Sequence, residues 1–257
     1  MKILGRPALF ATATFAVIWF LPFLSLASNS LKNGGVENYS AVIREGILGR
    51  SFVNSFAITF MTVLGVLIVT TLAAFSFSQL RFPMSRTIYL VLLTGLMLPA
   101  GAILVPFAQL NKFFGWGNTY PAVVFPYIAL FFPLGLLLIK NAFDNLPDEI
   151  FNAAAIDGCG LWRMFWSIGL PLTAPAVILV ALWTFLSTWN EFLLALLFLT
   201  DPSIQPLSVV PLRFQQEYFT DVPKIFAALV LSQIPIIVLF VAAQRHFNFG
   251  LLSGVGK

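Results

Sequence analysis

Residues 144–175 read DNLPDEIFNAAAIDGCGLWRMFWSIGLPLTAP, a mixed polar and apolar stretch set between segments of membrane length. It holds four of the chain's 10 acidic residues, Asp144, Asp148, Glu149 and Asp157. The spacing predicts two short helices joined by a turn. Asn145 is a candidate cap for the first, Pro147 suits its opening turn, and Asp148 and Glu149 sit at the positive end of its dipole. Gly158 is placed to stop that helix, because glycine takes the left-handed conformation without a Cβ clash. The second helix would align Leu161, Met164, Phe165, Ile168 and Leu172 on one face, with Pro171 ending or bending it. A connection that only crossed water has no use for such a stripe. The stretch is therefore expected to fold into a knob that presses against something.

The rest of the chain belongs in a membrane. It is 59% hydrophobic and 9% charged, with 28 Phe, where a soluble domain carries about a quarter charged residues. Six segments, 7–28, 52–80, 87–110, 121–141, 173–199 and 225–245, are long enough to span, given the need for about 20 apolar residues across a hydrocarbon core of ~30 Å. Backbone groups in lipid must pair internally, so an all-α polytopic membrane protein with six transmembrane helices is expected. The apolar runs lack the period of two that marks a membrane barrel. Lys2 and Arg6 ahead of the first run, with Leu26-Ala27-Ser28 after it, also fit a cleavable signal peptide, but the run is longer than a signal core and a retained helix is preferred. Between spans, 29–51 is expected to form a turn and a short interfacial helix, 111–120 a turn and 200–223 a proline-containing loop. Pro99, Pro106, Pro126 and Pro133 fall within or at the ends of spans, where proline kinks helices.

Several chemistries find no support. Cys159 is single, so no disulfide within the chain is possible. His246 is also single and, beside Arg245, reads as an interfacial anchor. The tail Gly250 to Lys257 has glycines and a lysine, but not the phosphate-loop spacing. An ATP-driven process would need the nucleotide site on another subunit.

The knob residues carry a family resemblance. Asn152-Ala153-Ala154, three residues, Gly158, nine residues, Ile168, one residue and Leu170-Pro171 resembles the signature loop of ABC-importer permeases, which opens Glu-Ala-Ala and keeps the same intervals. Asn152 puts a neutral amide where that family often has Glu. Leu146-Pro147-Asp148-Glu149 and Trp189-Asn190-Glu191-Phe192 are similar to carbohydrate-importer permeases, specifically the smaller subunit of the maltose-type pair. So are Asn54-Ser55, Ala73-Ala74-Phe75 with Arg81-Phe82, and the segment Gly250 to Lys257; the resemblance covers residues 50–257.

The resemblance implies a type-1 ABC-importer permease fold. The first helix and an external loop would occupy 1–49, the permease core 50–246 with its cytoplasmic coupling loop at 144–172, and a cytoplasmic tail 247–257. Asn152, Ala153, Ala154, Asp157, Gly158, Ile168, Leu170 and Pro171 would couple the chain to an ATPase. The implied partners are a second homologous permease, two copies of an ABC ATPase, an extracytoplasmic sugar-binding protein, a sugar and membrane lipid, with no nucleic acid. The chain itself would bind no cofactor, since ATP and magnesium sit on the ATPase. The implied place is the bacterial cytoplasmic membrane, with both termini and the knob in the cytoplasm. Lys2, Arg6, Arg81, Arg86, Lys140, Arg163, Arg245 and Lys257 then fall inside, eight of the 14 basic residues, a bias of the right sign.

Polar residues inside spans are costly and tend to face a cavity or a partner. In the fifth span Thr184, Ser187, Thr188 and Glu191 share a helical face at i, i+3, i+4 and i+7, with Trp189 and Asn190 beside them. Hydroxyls, an amide and an aromatic ring suit a sugar, making Thr184, Ser187, Thr188, Asn190 and Glu191 candidates for a translocation path. The same residue types also join transmembrane helices to each other, and both readings stand. An ion-coupled secondary transporter is the alternative class. It needs an intramembrane carboxylate or a broken helix, and Glu191 is the one residue that qualifies.

Overall fold

Apolar runs of membrane length satisfy their backbone groups by closing into helices, and the computed structural model follows that rule over the residues it describes, 6–44, 46–80, 82–215 and 221–252. The helices are α1 (Arg6–Ser30), α2 (Glu37–Arg44), α3 (Ile47–Gln79), α4 (Ser85–Leu93), α5 (Leu104–Phe114), α6 (Pro121–Asp144), α7 (Asp148–Ile156), α8 (Leu161–Met164), α9 (Leu170–Leu172), α10 (Ala174–Asn190), α11 (Leu193–Phe198) and α12 (Val222–Leu252). Short 3₁₀ segments join α4 to α5, and a longer one covers Leu207–Phe214. Lys2, Arg81 and the last residues of the expected tail lie outside the described residues, as do the side chains of Arg245 and His246. Residues 247–252, expected to be tail, continue α12 to Leu252.

The six expected spans each find a counterpart, but two are not straight. Leu48–Gln79 and Pro121–Asp144 are each long and apolar enough to cross a membrane unbroken, and Val17–Ser30 and Val222–Val238 are shorter apolar helices within α1 and α12. The third span folds as Ser85–Met97 and Gly101–Phe114, which meet at 104°. Leu98 and Pro99 are extended at that corner, as expected where proline removes a donor and restricts the residue before it. The fifth span begins after a 76° bend between Leu161–Leu172 and Ala174–Asn190. It stops at Asn190, where Glu191 is extended, and resumes at Leu193. Pro126 and Pro133, by contrast, lie inside one continuous α6.

α3, α6 and α10 form the centre. α6 can approach the other two closely because Gly135 has no side chain: a Cβ there would lie 2.8 Å from Thr70 Cγ2 and 3.2 Å from Val180 Cγ1. Hydroxyls on the α3 side of this contact close onto their own helix, Thr70 Oγ1 donating to Val66 O at 2.6 Å and Thr71 Oγ1 to Leu67 O at 2.7 Å. α12 packs on α1, on α2 and on the Leu207–Phe214 segment. The core is split three ways, into a cluster at the knob end, one between α3, α6 and α11, and one under α2 and α12.

Candidate functional site

The knob forms from its sequence as a pair of helices with a defined turn. α7 opens at Pro147, in extended conformation, with Asp148 and Glu149 in its first turn. Asn145 is not its cap. That residue closes α6 instead, its Nδ2 donating to Asn141 O at 2.8 Å, because Leu146 and Pro147 separate it from α7's free amides. At the other end Cys159 N donates to Ala154 O (2.9 Å) and Gly158 N to Ala155 O (3.1 Å), with Gly158 at φ +76°. This pair of bonds is the Schellman arrangement, and it requires the left-handed residue that glycine supplies.

The second helix continues from α8 through a π turn at Phe165–Gly169 into α9. Pro171 offers no N–H to the carbonyl four residues back, and the widened turn lies immediately before it. The widened turn shifts the register of everything after it. Met164 and Phe165 are buried and Ile168 packs partly against the core, as the stripe predicted, but Leu172 is left exposed, as is Leu161 at the helix start.

What the knob presses against is its own chain. Phe75, at the end of the Ala73-Ala74-Phe75 run, meets Phe143 of α6 at 5.7 Å, Phe151 of α7 at 6.5 Å and Phe165 at 5.4 Å between ring centroids, all steeply inclined. Edge-to-face pairs of this kind add to the burial energy by about 0.5–1.5 kcal/mol each. One ring of α3 therefore holds both knob helices and the end of α6.

The expected coupling residues divide accordingly. Asn152, Ala153, Asp157, Gly158 and Pro171 are exposed. Ala154 is buried in the aromatic cluster, and Ile168 and Leu170 pack against it. Ala154 is thus small so that α7 can lie close to its own core. The outer surface carries two features that periodicity missed. Ile156 is 87% exposed at the tip of α7, one turn on from Asn152, and Trp162 and Trp166 stand out from the second helix. An apolar residue between Ala155 and Asp157, outside any stripe, was the available signal.

The polar stripe of the fifth span is not left together on one open face. Thr184 and Thr188 are buried within the chain, their hydroxyls without a partner among the described residues. Ser187 is half-buried and Asn190 exposed, its Nδ2 donating to Leu186 O at 2.8 Å. Glu191 sits at the break and accepts from Leu194 N at 3.0 Å and Ala195 N at 3.3 Å, the free amides opening α11. Its Oε2 also accepts from Tyr127 OH of α6 at 2.5 Å. A carboxylate at a helix N-terminus satisfies donors that have no intrahelical partner. Here it also ties the broken span to α6.

The same end is stapled by other amides. Asn54 Nδ2 donates to Ser203 O (3.0 Å) and Gln205 O (3.1 Å), while Tyr120 OH donates to Asn54 Oδ1 (2.7 Å). Leu207 N donates to Ser55 Oγ at 2.7 Å. Asn111, which could have passed for an interfacial residue, is buried and donates to Ala122 O at 3.0 Å. Asn118 Oδ1 accepts from Thr200 N (2.7 Å) and Asp201 N (2.9 Å). Asp201 Oδ1 accepts from Ser203 N at 2.8 Å, and bonds from the Ser203 backbone and side chain hold the Asp201 carboxyl below its usual range.

Residues 72–252 match the family of binding-protein-dependent transport system inner membrane components, and the chain belongs to that family. It is 31% identical to a diacetylchitobiose uptake system permease protein of Streptomyces coelicolor, over 93% of this chain and 85% of that one. It is 33% identical to a trehalose/maltose transport system permease protein of Thermococcus litoralis, over 86% and 81%. A bacterial ABC transporter involved in import of the acidic polysaccharide alginate has the same fold, with a TM-score of 0.82 at 20% identity, covering 96% of this chain and 97% of that one. The family and the all-α permease fold are those that the sequence resemblance implied. The chain is an inner-membrane component of an ABC importer that works with a binding protein.

Proposed function

We propose that this chain is one of two homologous membrane subunits of an ATP-driven sugar importer. Two copies of a partner ATPase carry the ATP and magnesium, and the knob at 144–172 docks on them. Asn152, Ala153 and Ile156 form the contact face, and Asp157, Gly158 and Pro171 hold its shape. Both termini and the knob lie in the cytoplasm, and the end bearing Asn54, Asn118 and Asp201 faces the sugar-loaded binding protein. ATP-driven closure of the ATPase pair displaces the knob, and the spans alternate between outward and inward openings because the docked knob contacts the two nucleotide states differently.

The observation that carries this reading is the division of the knob. Its inner face is filled by Phe75, Phe143, Phe151 and Phe165, yet Ile156 projects 87% exposed from its tip. An apolar side chain held out on a rigid mount suits a groove in a partner. The chitobiose and trehalose/maltose names of the relatives support a sugar as cargo. The ion-coupled alternative depended on Glu191, whose oxygens are occupied by Tyr127 and the α11 amides.

The test is recovery of the ATPase with the tagged chain from detergent extracts, paired with uptake of labelled sugars by vesicles holding the whole transporter. Co-purification with ATP-dependent uptake is expected. Uptake that persists without ATP and follows an ion gradient would overturn the reading.

A further inference from the structure

At the end of the molecule remote from the knob, a cavity of about 300 Å³ opens between the α10–α11 break, the 3₁₀ segment Leu207–Phe214 and α12. We infer that this cavity is a saccharide subsite belonging to this subunit itself, shaped for one ring of a neutral sugar. The inference rests on the sugar-importer reading above and adds to it a place and a charge class.

The polar groups around the cavity include several with unused hydrogen-bonding capacity. Gln233 lies in an otherwise apolar stretch of α12, and its amide has no partner among the described residues. An amide in such a place is costly unless something bonds to it. Ser208 Oγ is buried and also has no partner among the described residues. Asn190 uses its Nδ2 on Leu186 O, which leaves Oδ1 to accept. Together they offer both donors and acceptors, as sugar hydroxyls require. Phe192 is 37% exposed at the rim and presents a ring to the apolar face of a pyranose.

The frame around these groups is rigid. Trp189 forms one wall, fixed by its indole N–H donating to Ser232 O at 3.1 Å and by stacking on Phe185 at 5.5 Å and 13°. The volume is at the small end of the range for ligand pockets, which suits one sugar ring and not an extended chain.

The charge class follows from what the lining lacks. None of the residues around the cavity is charged. Glu191, adjacent in sequence, directs its carboxylate to α11 and Tyr127. Arg213, next to the lining Leu212, is not itself among the residues around the cavity. Its Nη2 donates to Pro202 O at 3.1 Å and to Gln205 Oε1 at 2.8 Å, while its Nε is buried without a partner among the described residues. A sugar phosphate or uronate would arrive with no cation to meet it, and an unpaired charge at a partly apolar wall is expensive. A neutral ring carries no such penalty.

The test places a reporter thiol on the wall of the intact transporter, reconstituted in nanodiscs with its ATPase and partner permease. In a Cys159→Ser background, Leu212→Cys puts a thiol at the cavity without removing a polar group. Its rate of modification by a maleimide is measured with glucose, maltose, trehalose, melibiose or glucose 6-phosphate, and uptake of the same sugars is measured in vesicles. The neutral sugar that is transported should slow modification several-fold. Gln233→Leu in the same background should weaken that protection by about tenfold in sugar concentration, the consequence of one lost hydrogen bond. Uptake of a neutral sugar with no protection overturns the subsite and leaves the importer reading intact. Protection by glucose 6-phosphate alone overturns the neutral class. No uptake of any sugar by the unsubstituted transporter overturns both.

Discussion

The knob and the far end of the fifth span are both places where a helix breaks, but they use their residues in opposite directions. In the knob the break is made by Gly158 at φ +76°. Phe151 and Phe165 turn inward onto Phe75, while Asn152, Ala153 and Asp157 face out together with Ile156, Trp162 and Trp166. At the far end the break is made at Glu191, and the polar groups turn inward. Glu191 holds Tyr127 and α11, Asn54 and Ser55 hold the 203–207 loop, and Asn118 holds Thr200 and Asp201. Polarity in a membrane chain therefore identifies no path by itself. Whether a polar group is free or occupied is what separates a surface offered to a partner from an internal brace.

The largest expected effect sharpens the distinction between the two faces of α7. Ala154→Asp would bury a carboxylate beside Phe75 and Phe165, costing roughly 3 kcal/mol or more. Membrane yield and thermal midpoint in detergent should both fall; a stable, fully inserted variant that merely loses the ATPase would put Ala154 back on the docking face. Glu191→Leu comes next. Losing the acceptor for Tyr127 and two α11 amides costs on the order of 2 kcal/mol, so the midpoint should drop, while Glu191→Gln, which keeps an acceptor oxygen, should recover most of it. An undiminished midpoint for the leucine variant would show that the brace does not hold.

Gly158→Val should leave insertion intact but strain the turn by about 1–2 kcal/mol, and transport should fall to background as ATPase recovery is lost. Ile156→Ser touches no internal contact. It should weaken ATPase recovery by roughly tenfold through the apolar area no longer buried on docking, with an unchanged midpoint. Normal recovery would move the contact elsewhere on the knob. The smallest effect is electrostatic. The Asp201 carboxyl is held below its usual range by Ser203, so its contribution to the loop is present above the ordinary carboxylate range and is lost as pH falls through the depressed value. Hydrogen exchange at residues 200–206 should speed up on acidification, and Asp201→Asn should remove that dependence; identical pH profiles would show that the Ser203 bonds do not order the loop.

The knob was legible because its signals are local. Proline, acidic first turn, glycine and apolar stripe each act within a few residues, and all but the Asn145 cap and the two ends of the stripe, Leu161 and Leu172, are found where the spacing put them. Leu172 escaped because a π turn, caused by a proline whose effect on register is not periodic, shifted its face. The straightness of the third and fifth spans was not legible either. Pro126 and Pro133 leave α6 whole while Pro99 marks a 104° corner, a difference decided by neighbours and not by the proline. The role of Glu191 needed Tyr127, 64 positions away in sequence, and no window along the chain contains both.

α3 has a mechanical consequence beyond its packing. It is a single helix of 33 residues without proline, gripped at one end by the aromatic ring that carries the knob and at the other by the Asn54 staple. Phe75 and Asn54 are separated by about 30 Å of unbroken helix at 1.5 Å per residue. Such a rod cannot absorb a rotation of the knob in a hinge of its own and acts as a lever. A tilt of about 10° at the Phe75 end carries the loop at 203–207 through about 5 Å over that length. The amplitude of the stroke at the far face is then set by helix length, and shortening α3 by whole turns would reduce it in proportion.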